Sequence, residues 1–558
     1  MIASVLVDQK TRRNILFDYL VPDEIGLKKF SLVSVPFRQK HVRALVIGLK
    51  THSKIALKPV KKPLSGGVAF TANQVKLAQE IADNFLATKA ETIFSFLPPL
   101  PQKDLKIIGA KAATFSPELV EGHRSQTTYL IGEFEARLSF FSQNLQSNCQ
   151  NLLVVPTVLQ ITRVQKYLRR LRPDLQVLCW HSQITPSKRA RAWQKILSGR
   201  AVTVIGTRQA LFLPWQGLAD IFLDEPGNFA YHNDQTPYYN ARAVALFLAK
   251  IIGAKLYFGD STVDLPAYLD SMRALASIKK FALKQEIIPA SGWDEYRQEL
   301  GVKKEWKGFF SKSRRLLVVG PWRRQPRYFC QDCQSPSLDA QLCPNCRGTR
   351  LKEVGLTYQK IIRELKDLFP GVSISARPES AASAQIFVAD FRSPNNLPPI
   401  FDAAIFPYFD LMADFSLINW RTKLYRLVYS LKNLGVSEVI LCGRNLNDDR
   451  FVQHLVRNEW RQFLTENLKE RRRLGLPPYK KAVLAVAKAK SHELARENLQ
   501  VFLKSLDQLA AIINLEDESS RAKALLLVEK KNWPKFRTLA RELPANLHLE
   551  VDPVEFSS

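Results

Sequence analysis

Four cysteines carry the most specific chemistry in this sequence. Cys330-x2-Cys333 and Cys343-x2-Cys346 form two knuckles separated by nine residues. Paired knuckles at that spacing bring four thiolates to one tetrahedron, the geometry of structural Zn2+. A closed four-thiolate shell leaves no position for a substrate, so one structural Zn2+ is expected and no catalytic metal. A second chemical feature is the acidic pair Asp224-Glu225, which ends the apolar run DIFLDE. An acid in that place is what holds Mg2+ in nucleoside triphosphatases. The run TVIG ends in the same way at Gly206-Thr207-Arg208. Short continuous apolar runs read as strands buried on both faces of a parallel sheet, where ligands sit at the carboxyl ends. Cys149, Cys179 and Cys442 lie on or beside apolar segments and read as core thiols.

The elements that must position these groups follow from pattern. Residues 1 to about 60 alternate apolar runs with turn signals at Pro22, Gly26 and Pro36, which predicts a small β barrel. The stretch from Ala56 to Pro63 reads as a linker. Val75, Leu77, Ile81, Phe85 and Leu86 predict helix over 72–98, ended by Pro98 and Pro99. Residues 112–265 alternate strand and helix patterns, the signature of a doubly wound α/β unit. Further apolar runs at 315–320, 384–390, 403–408 and 437–443 predict a second such unit. Residues 449–475 read as a helical connector. The tail reads βαβαβ, with its first helix running on to about Ile513. The fold class is therefore α/β and multidomain. The expected divisions are 1–105, 106–285, 286–465 with a metal-binding segment at 326–350, and 466–558.

Composition bounds the partners. The 558 residues hold 81 Lys and Arg against 52 Asp and Glu, a formal charge of +29. Such an excess predicts a polyanionic partner, nucleic acid first and anionic membrane second. No run of eighteen apolar residues exists, so no membrane span is expected. The N-terminus lacks the apolar region of a signal peptide. Clustered cysteines point to metal chemistry in a reducing compartment, and a cytoplasmic protein is expected.

These pieces coincide with one family. The chain resembles the PriA family (primosomal protein N′), superfamily 2 helicases of bacterial replication restart. The resemblance rests on order and coverage. LFDYLVP and VPFRQKHVRALVIGL resemble the N-terminal domain that binds the 3′ end of DNA. LLVVPT, LCWHSQIT, VTVIGTRQALF, LADIFLDE, YYNAR and YFGDST fall in the order of the lobe 1 helicase motifs. CQDCQSPSLDAQLCPNC resembles the zinc segment, and ERRRLGLPPYKKAVLAV with LEVDPV the C-terminal domain. The resemblance implies a β-rich 3′-end DNA-binding domain, two RecA-like lobes, a zinc ribbon inserted in lobe 2 and a C-terminal α+β domain. It implies a 3′-end pocket at Phe17, Asp18 and Tyr19, with Val35 to Arg38 alongside. In it Asp18 would accept a hydrogen bond from the terminal 3′-OH or from a base amino group, and Tyr19 would stack a base or belong to the barrel core, which is the reading for Phe17. It places Thr207 and Arg208 where such lobes touch the DNA backbone. The run Lys469, Arg471, Arg472, Arg473, Lys480 and Lys481 is a phosphate contact or a solvated helix end. The implied partners are forked DNA with a 3′ end, single-stranded DNA, single-stranded DNA-binding protein and the replicative helicase loader.

The departures from the family pattern bear on chemistry. A phosphate loop needs glycines, a Lys for the β/γ oxygens and a Ser or Thr for Mg2+. Opposite the family's loop stands LVEGHRSQTTYL, residues 119–130, with Ser125 at the Lys position and Gln126 at the hydroxyl position. The acidic motif continues as Pro226-Gly227, and the coupling motif reads Gly259-Asp260-Ser261-Thr262. Lys432 and Gly435 stand where the family has its arginine finger, a group worth about 10³-fold or more in phosphoryl transfer. The family's winged helix is missing from the short span Gln102 to Pro117, and four cysteines replace eight. ATP and Mg2+ are therefore not expected as cofactors, no catalytic residue is assigned, and Asp224 and Glu225 read as a surviving strand end. The expected function is recognition of forked DNA without ATPase. Two alternatives stay open: an active ATP-dependent 3′–5′ helicase with atypical nucleotide contacts, and a zinc-ribbon protein of single-stranded nucleic acid.

Overall fold

The computed structural model describes residues 1–9, 15–52, 57–109, 127–273, 276–280, 286–291, 314–320, 327–333, 336–337, 341–343, 345–354, 357–391, 397–398, 400–407, 409, 420–443, 446–518, 521–540 and 546–552. The N-terminal strands are β1 (Ile2–Val7), β2 (Phe17–Leu20), β3 (Ser31–Phe37), β4 (Lys40–Lys50) and β5 (Lys62–Val68), ordered β2-β1-β4-β3-β5 in one antiparallel sheet. Period-two alternation sends Ala3, Val5, Val7, Val33, Val35 and Val46 into one core. Leu6, Leu32 and Leu45 face the other way, into the large core. Part of the stretch read as a linker is β5, with Val33 opposite Pro63. A proline fits there because β5 lies at the edge. A single bridge from Leu20 to Pro59 begins to close the sheet toward the expected barrel.

The helix expected over 72–98 is two helices, Ala72–Asn84 and Lys89–Phe96. Thr71 with Gln74 and Thr88 with Glu91 form capping boxes, so the second starts afresh after Leu86, at φ 55°. Both helices join the unit that follows. Gln74 donates to the Phe212 carbonyl at 2.7 Å, and Trp193 donates to the Ala69 carbonyl at 2.9 Å. Phe96 stacks on Phe212 with centroids 4.4 Å apart.

That unit holds seven parallel strands: β6 (Thr127–Ile131), β7 (Gln150–Val154), β8 (Val177–Trp180), β9 (Val202–Gly206), β10 (Leu218–Asp224), β11 (Lys255–Asp260) and β12 (Ala276–Lys280). Their order is β12-β6-β11-β10-β7-β9-β8. β7 and β9 are buried at every residue, as unbroken apolar runs require. The second parallel sheet begins with β13 (Glu286–Ser291) and continues through β14 (Leu316–Gly320). After β14 the chain makes a small antiparallel sheet of β15 (Arg327–Cys330), β16 (Pro336–Ser337) and β17 (Leu351–Val354). It then returns through β18 (Ile374–Ser375), β19 (Ile386–Asp390), β20 (Ala403–Phe406) and β21 (Glu438–Gly443), giving the order β13-β21-β20-β14-β19-β18.

The helix Trp460–Leu474 stops at Gly475, which sits in the left-handed region at φ 65°. Beyond it lie β22 (Lys480–Lys488), β23 (Ala510–Glu518), β24 (Arg521–Glu529) and β25 (Leu547–Val551), ordered β23-β24-β22-β25. The tail thus has a strand that the pattern assigned to helix. The helix His492–Ser505 ends eight residues short of Ile513, and Ala510–Glu518 pairs antiparallel with β24. Leu515 faces Ala524 across that pairing, so the β24 ladder overrides a helical apolar spacing.

Candidate functional site

The carboxyl ends of β6, β11 and β10 meet where the two parallel sheets face each other. A phosphate loop would follow β6, since it joins a strand to the helix it opens. Thr127–Ile131, matched by string to the end of that loop, is instead the strand itself. Only Gly132 and Glu133 separate it from the helix Phe134–Asn144, and two residues are too few to wrap a phosphate. Ser125 and Gln126 lie outside the described residues. The Gly132 N–H donates to the Asp260 carbonyl at 2.9 Å and closes the turn onto β11.

Arg137, on the first turn of that helix, is fully buried. Its Nη2 and Nε donate to Asp224 Oδ1 at 2.9 and 3.2 Å, and its Nη1 donates to the Gly132 carbonyl. The carboxylate that could hold a divalent cation therefore meets a guanidinium. Asp224 Oδ2 meets no donor. Burial pushes the Asp224 carboxyl up to about 7, against the opposing pull of Arg137. Glu225, also buried, has φ 52° and accepts from Asn228 Nδ2 at 2.7 Å.

The opposite lobe supplies the rest. Asn433 Nδ2 donates to Glu225 Oε1 at 2.6 Å, and Arg426 Nε donates to Asp260 Oδ2 at 2.6 Å. Arg426 Nη2 lies 4.0 Å from Glu225. A Cβ at Gly227 would come within 3.0 Å of Arg426 Nε, so the Pro226-Gly227 departure makes room for this arginine. Lys432, at an expected finger position, lies 3.8 Å from Glu133 at the rim. Sequence reasoning passed over Arg137 and Arg426. The available signal for Arg426 was a cation inside the apolar run of the helix Trp420–Ser430, where residues 424–430 are all buried.

The expected 3′-end residues sit on β2 and the β3–β4 turn. Ser4 Oγ donates to Asp18 Oδ1 at 2.6 Å and Lys50 Nζ to Oδ2 at 2.5 Å. The bond from Lys50 holds the Asp18 carboxyl below the usual range, helped by Ser4. Of Phe17 and Tyr19, Tyr19 is the more buried. Tyr19 is 6% exposed and its hydroxyl donates to the Pro36 carbonyl at 2.9 Å, so its ring is core. Phe17 is half-buried and meets Phe37 edge-on at 5.1 Å. Arg38, exposed with φ 54°, holds its guanidinium 5.8 Å above the Phe37 ring. Period two puts both rings on the face that pairs with Ala3 and Val5, and Phe17, at the start of β2, is the less covered of the two.

Thr207 is half-buried where β9 meets a 3-10 turn. Arg208 is turned inward, donating to the carbonyls of Ala230 at 2.5 Å and His232 at 3.1 Å and to Asn233 Oδ1 at 3.2 Å. Its guanidinium braces that turn. The basic run also divides. Arg471 is buried and donates to the Pro477 carbonyl at 2.8 Å, and Lys481 lies over the Trp533 ring at 4.1 Å. Lys469, Arg472 and Arg473 are exposed.

The Sγ atoms of Cys330, Cys333, Cys343 and Cys346 all lie within 4.8 Å of one another. Cys330 to Cys346 is 3.6 Å and Cys333 to Cys343 is 3.5 Å. Four ligands at Zn–S bonds of about 2.3 Å require sulfur separations of about 3.8 Å, so the cluster could hold a metal ion. It is carried by the β15–β17 sheet, apart from the core of the parallel sheet that flanks it.

Residues 4–98 match the PriA family of the 3′ DNA-binding domain (3′BD). The chain is 23% identical to replication restart protein PriA of Helicobacter pylori over 64% of each chain. It is 21% identical to that of Rickettsia conorii over 96% of each, and 23% identical to that of Haemophilus influenzae over 66% of this chain and 58% of the relative. The H. pylori match thus spans somewhat less than two thirds of its relative. Among solved structures, Mycobacterium smegmatis helicase Lhr bound to ssDNA and AMP-PNP aligns at TM-score 0.37 and 12% identity, over 84% of this chain and 62% of that one. RecG bound to a three-way DNA junction aligns at TM-score 0.36 and 12% identity, over 71% and 45%. The chain is thus similar to PriA proteins along most of its length.

Proposed function

We propose that this chain is a replication-restart protein that binds forked DNA through a 3′ end and does not hydrolyse ATP. One observation carries the second half: a two-residue turn follows β6, and Arg137 fills the cation position at Asp224. The first half is supported by the 3′ DNA-binding match over residues 4–98, by relatives named for replication restart and by a charge of +29. The pocket for the 3′ end would be Phe17, Phe37 and Arg38 with the Asp18–Lys50 pair beside them. Asp18 would accept from the 3′-OH on a lone pair that Ser4 and Lys50 leave open, and Lys50 would neutralise the last phosphate. The four thiolates would hold one Zn2+ in a structural role. Single-stranded DNA-binding protein and the replicative helicase loader are proposed as protein partners, and the cytoplasm as the compartment. No described helix is long and apolar enough to cross a membrane.

The test measures fork binding and ATP hydrolysis on one sample, using forks with a free or a phosphate-blocked 3′ end at the branch. The expected result is tight, salt-sensitive binding that weakens on blocking, with no DNA-stimulated hydrolysis. Hydrolysis that disappears in Asp224→Asn would overturn the proposal, as would equal affinity for both forks.

A further inference from the structure

We infer that the cleft between the two parallel sheets is closed by the chain's own ion pairs, which hold the lobes in one fixed arrangement whether or not nucleotide is present. This rests on the proposed lack of ATP hydrolysis and goes beyond it. A chain that had only lost its phosphate loop would leave two lobes joined by a passive hinge. Here groups of the two lobes bond to each other across the cleft, while Asp224 Oδ2 and Arg426 Nη2 meet no hydrogen-bond partner. Three buried carboxylates, Asp224, Glu225 and Asp260, come from β10, its following residue and β11. Two cations answer them: Arg137 from the same lobe, through Asp224, and Arg426 from the opposite lobe, through Asp260 at 2.6 Å.

Asn433 and Asn228 occupy the two Glu225 oxygens, and Lys432 faces Glu133 at 3.8 Å on the rim. Arg163 adds a bond from its Nη1 to the Asn433 carbonyl at 3.4 Å. In a working motor, closure across such a cleft is conditional because the charges that draw the lobes together belong to a ligand that leaves. These charges are covalently attached and cannot leave. Opening the cleft would part Arg426 from Asp260 and Asn433 from Glu225, and these bonds hold the two lobes together. The device suits a protein whose task is to present one DNA-facing surface, because a locked pair of lobes loses little entropy on binding.

The experiment is hydrogen exchange on the full chain, with fork affinity measured in parallel. In the wild type, exchange over 218–233 and 420–434 should be the same with and without ATP and Mg2+. Arg426→Ala should raise exchange over both segments by about 100-fold, with β14 and β19 still protected, because local opening follows the lost pair. Asn433→Ala removes only the cross-lobe bond to Glu225 and should raise the same segments less, which guards against a folding failure in the arginine variant. Arg426→Lys should restore part of the protection. A wild-type response to ATP and Mg2+ would overturn the lock. So would a folded Arg426→Ala chain whose segment 218–233 exchanges as in the wild type. Failure of the wild type to bind forks would sink the functional proposal and leave the exchange result standing.

Discussion

Arg137 shows how one side chain redirects a site. A guanidinium on Asp224 satisfies one carboxylate oxygen and leaves Oδ2 without a donor, in a cluster with three acids and two arginines. Loss of water around this buried carboxyl is the main push that raises Asp224, and the neighbouring Glu225 and Asp260 add to it. The folded-state value lies above the unfolded one, so the Asp224 contribution to stability is complete at low pH and is lost as pH rises through about 7. Thermal unfolding should therefore show the melting temperature falling between about pH 4 and 7 and levelling off above that. The fall should be smaller in Asp224→Asn, which cannot ionise; an identical profile would contradict this assignment. Tyr19 and Arg38 give a second contrast. Tyr19→Phe strands the Pro36 carbonyl and should cost about 1 kcal/mol of stability with no change in fork affinity. Arg38→Ala should instead weaken binding to free 3′ ends about tenfold, read by fluorescence anisotropy, and leave blocked ends unaffected.

Among the elements, the cysteine-bearing sheet is the most separable. Cys330 and Cys343 are buried within it, yet the neighbouring core of β14, β19 and β21 contains neither. Chelation or Cys343→Ser should drop bound Zn2+ from one per chain to none and raise exchange in 327–333 and 341–354. Protection of β14 and β19 should persist, and elemental analysis with hydrogen exchange checks both. The strands read as unbroken apolar runs were legible because both faces of a parallel sheet are covered and every position must be apolar. β23 was not legible, because its place depends on pairing with β24 and its own spacing also suits a helix. The break between the first two long helices was written in Thr88-x-x-Glu91, a capping box in the middle of an apolar pattern.

At the scale of the molecule, charge and connectivity set the behaviour. With a charge of +29, fork affinity should fall by about 10³-fold or more between 50 and 200 mM salt, because neutralised phosphates release counterions. A flat salt profile would count against DNA as the partner. The C-terminal sheet is tied to the first lobe by His232 to Glu550 at 2.8 Å and by Tyr238 stacked on His548 at 5.9 Å. The turn bearing His232 is the one that Arg208 braces.

The sequence by itself determined what depends on neighbours in the chain: the strand runs, the capping boxes, the metal-binding spacing of the cysteines and the basic surplus. It also exposed the loss of a phosphate-loop string, though not its register, since string matching carries no strand boundary. The tertiary structure alone decided which charges meet. Arg137 and Asp224 are 87 residues apart, Asp260 and Arg426 are 166, and Glu225 and Asn433 are 208. A buried charge takes whichever partner the packing of distant elements brings within hydrogen-bond reach, and no local pattern encodes that choice.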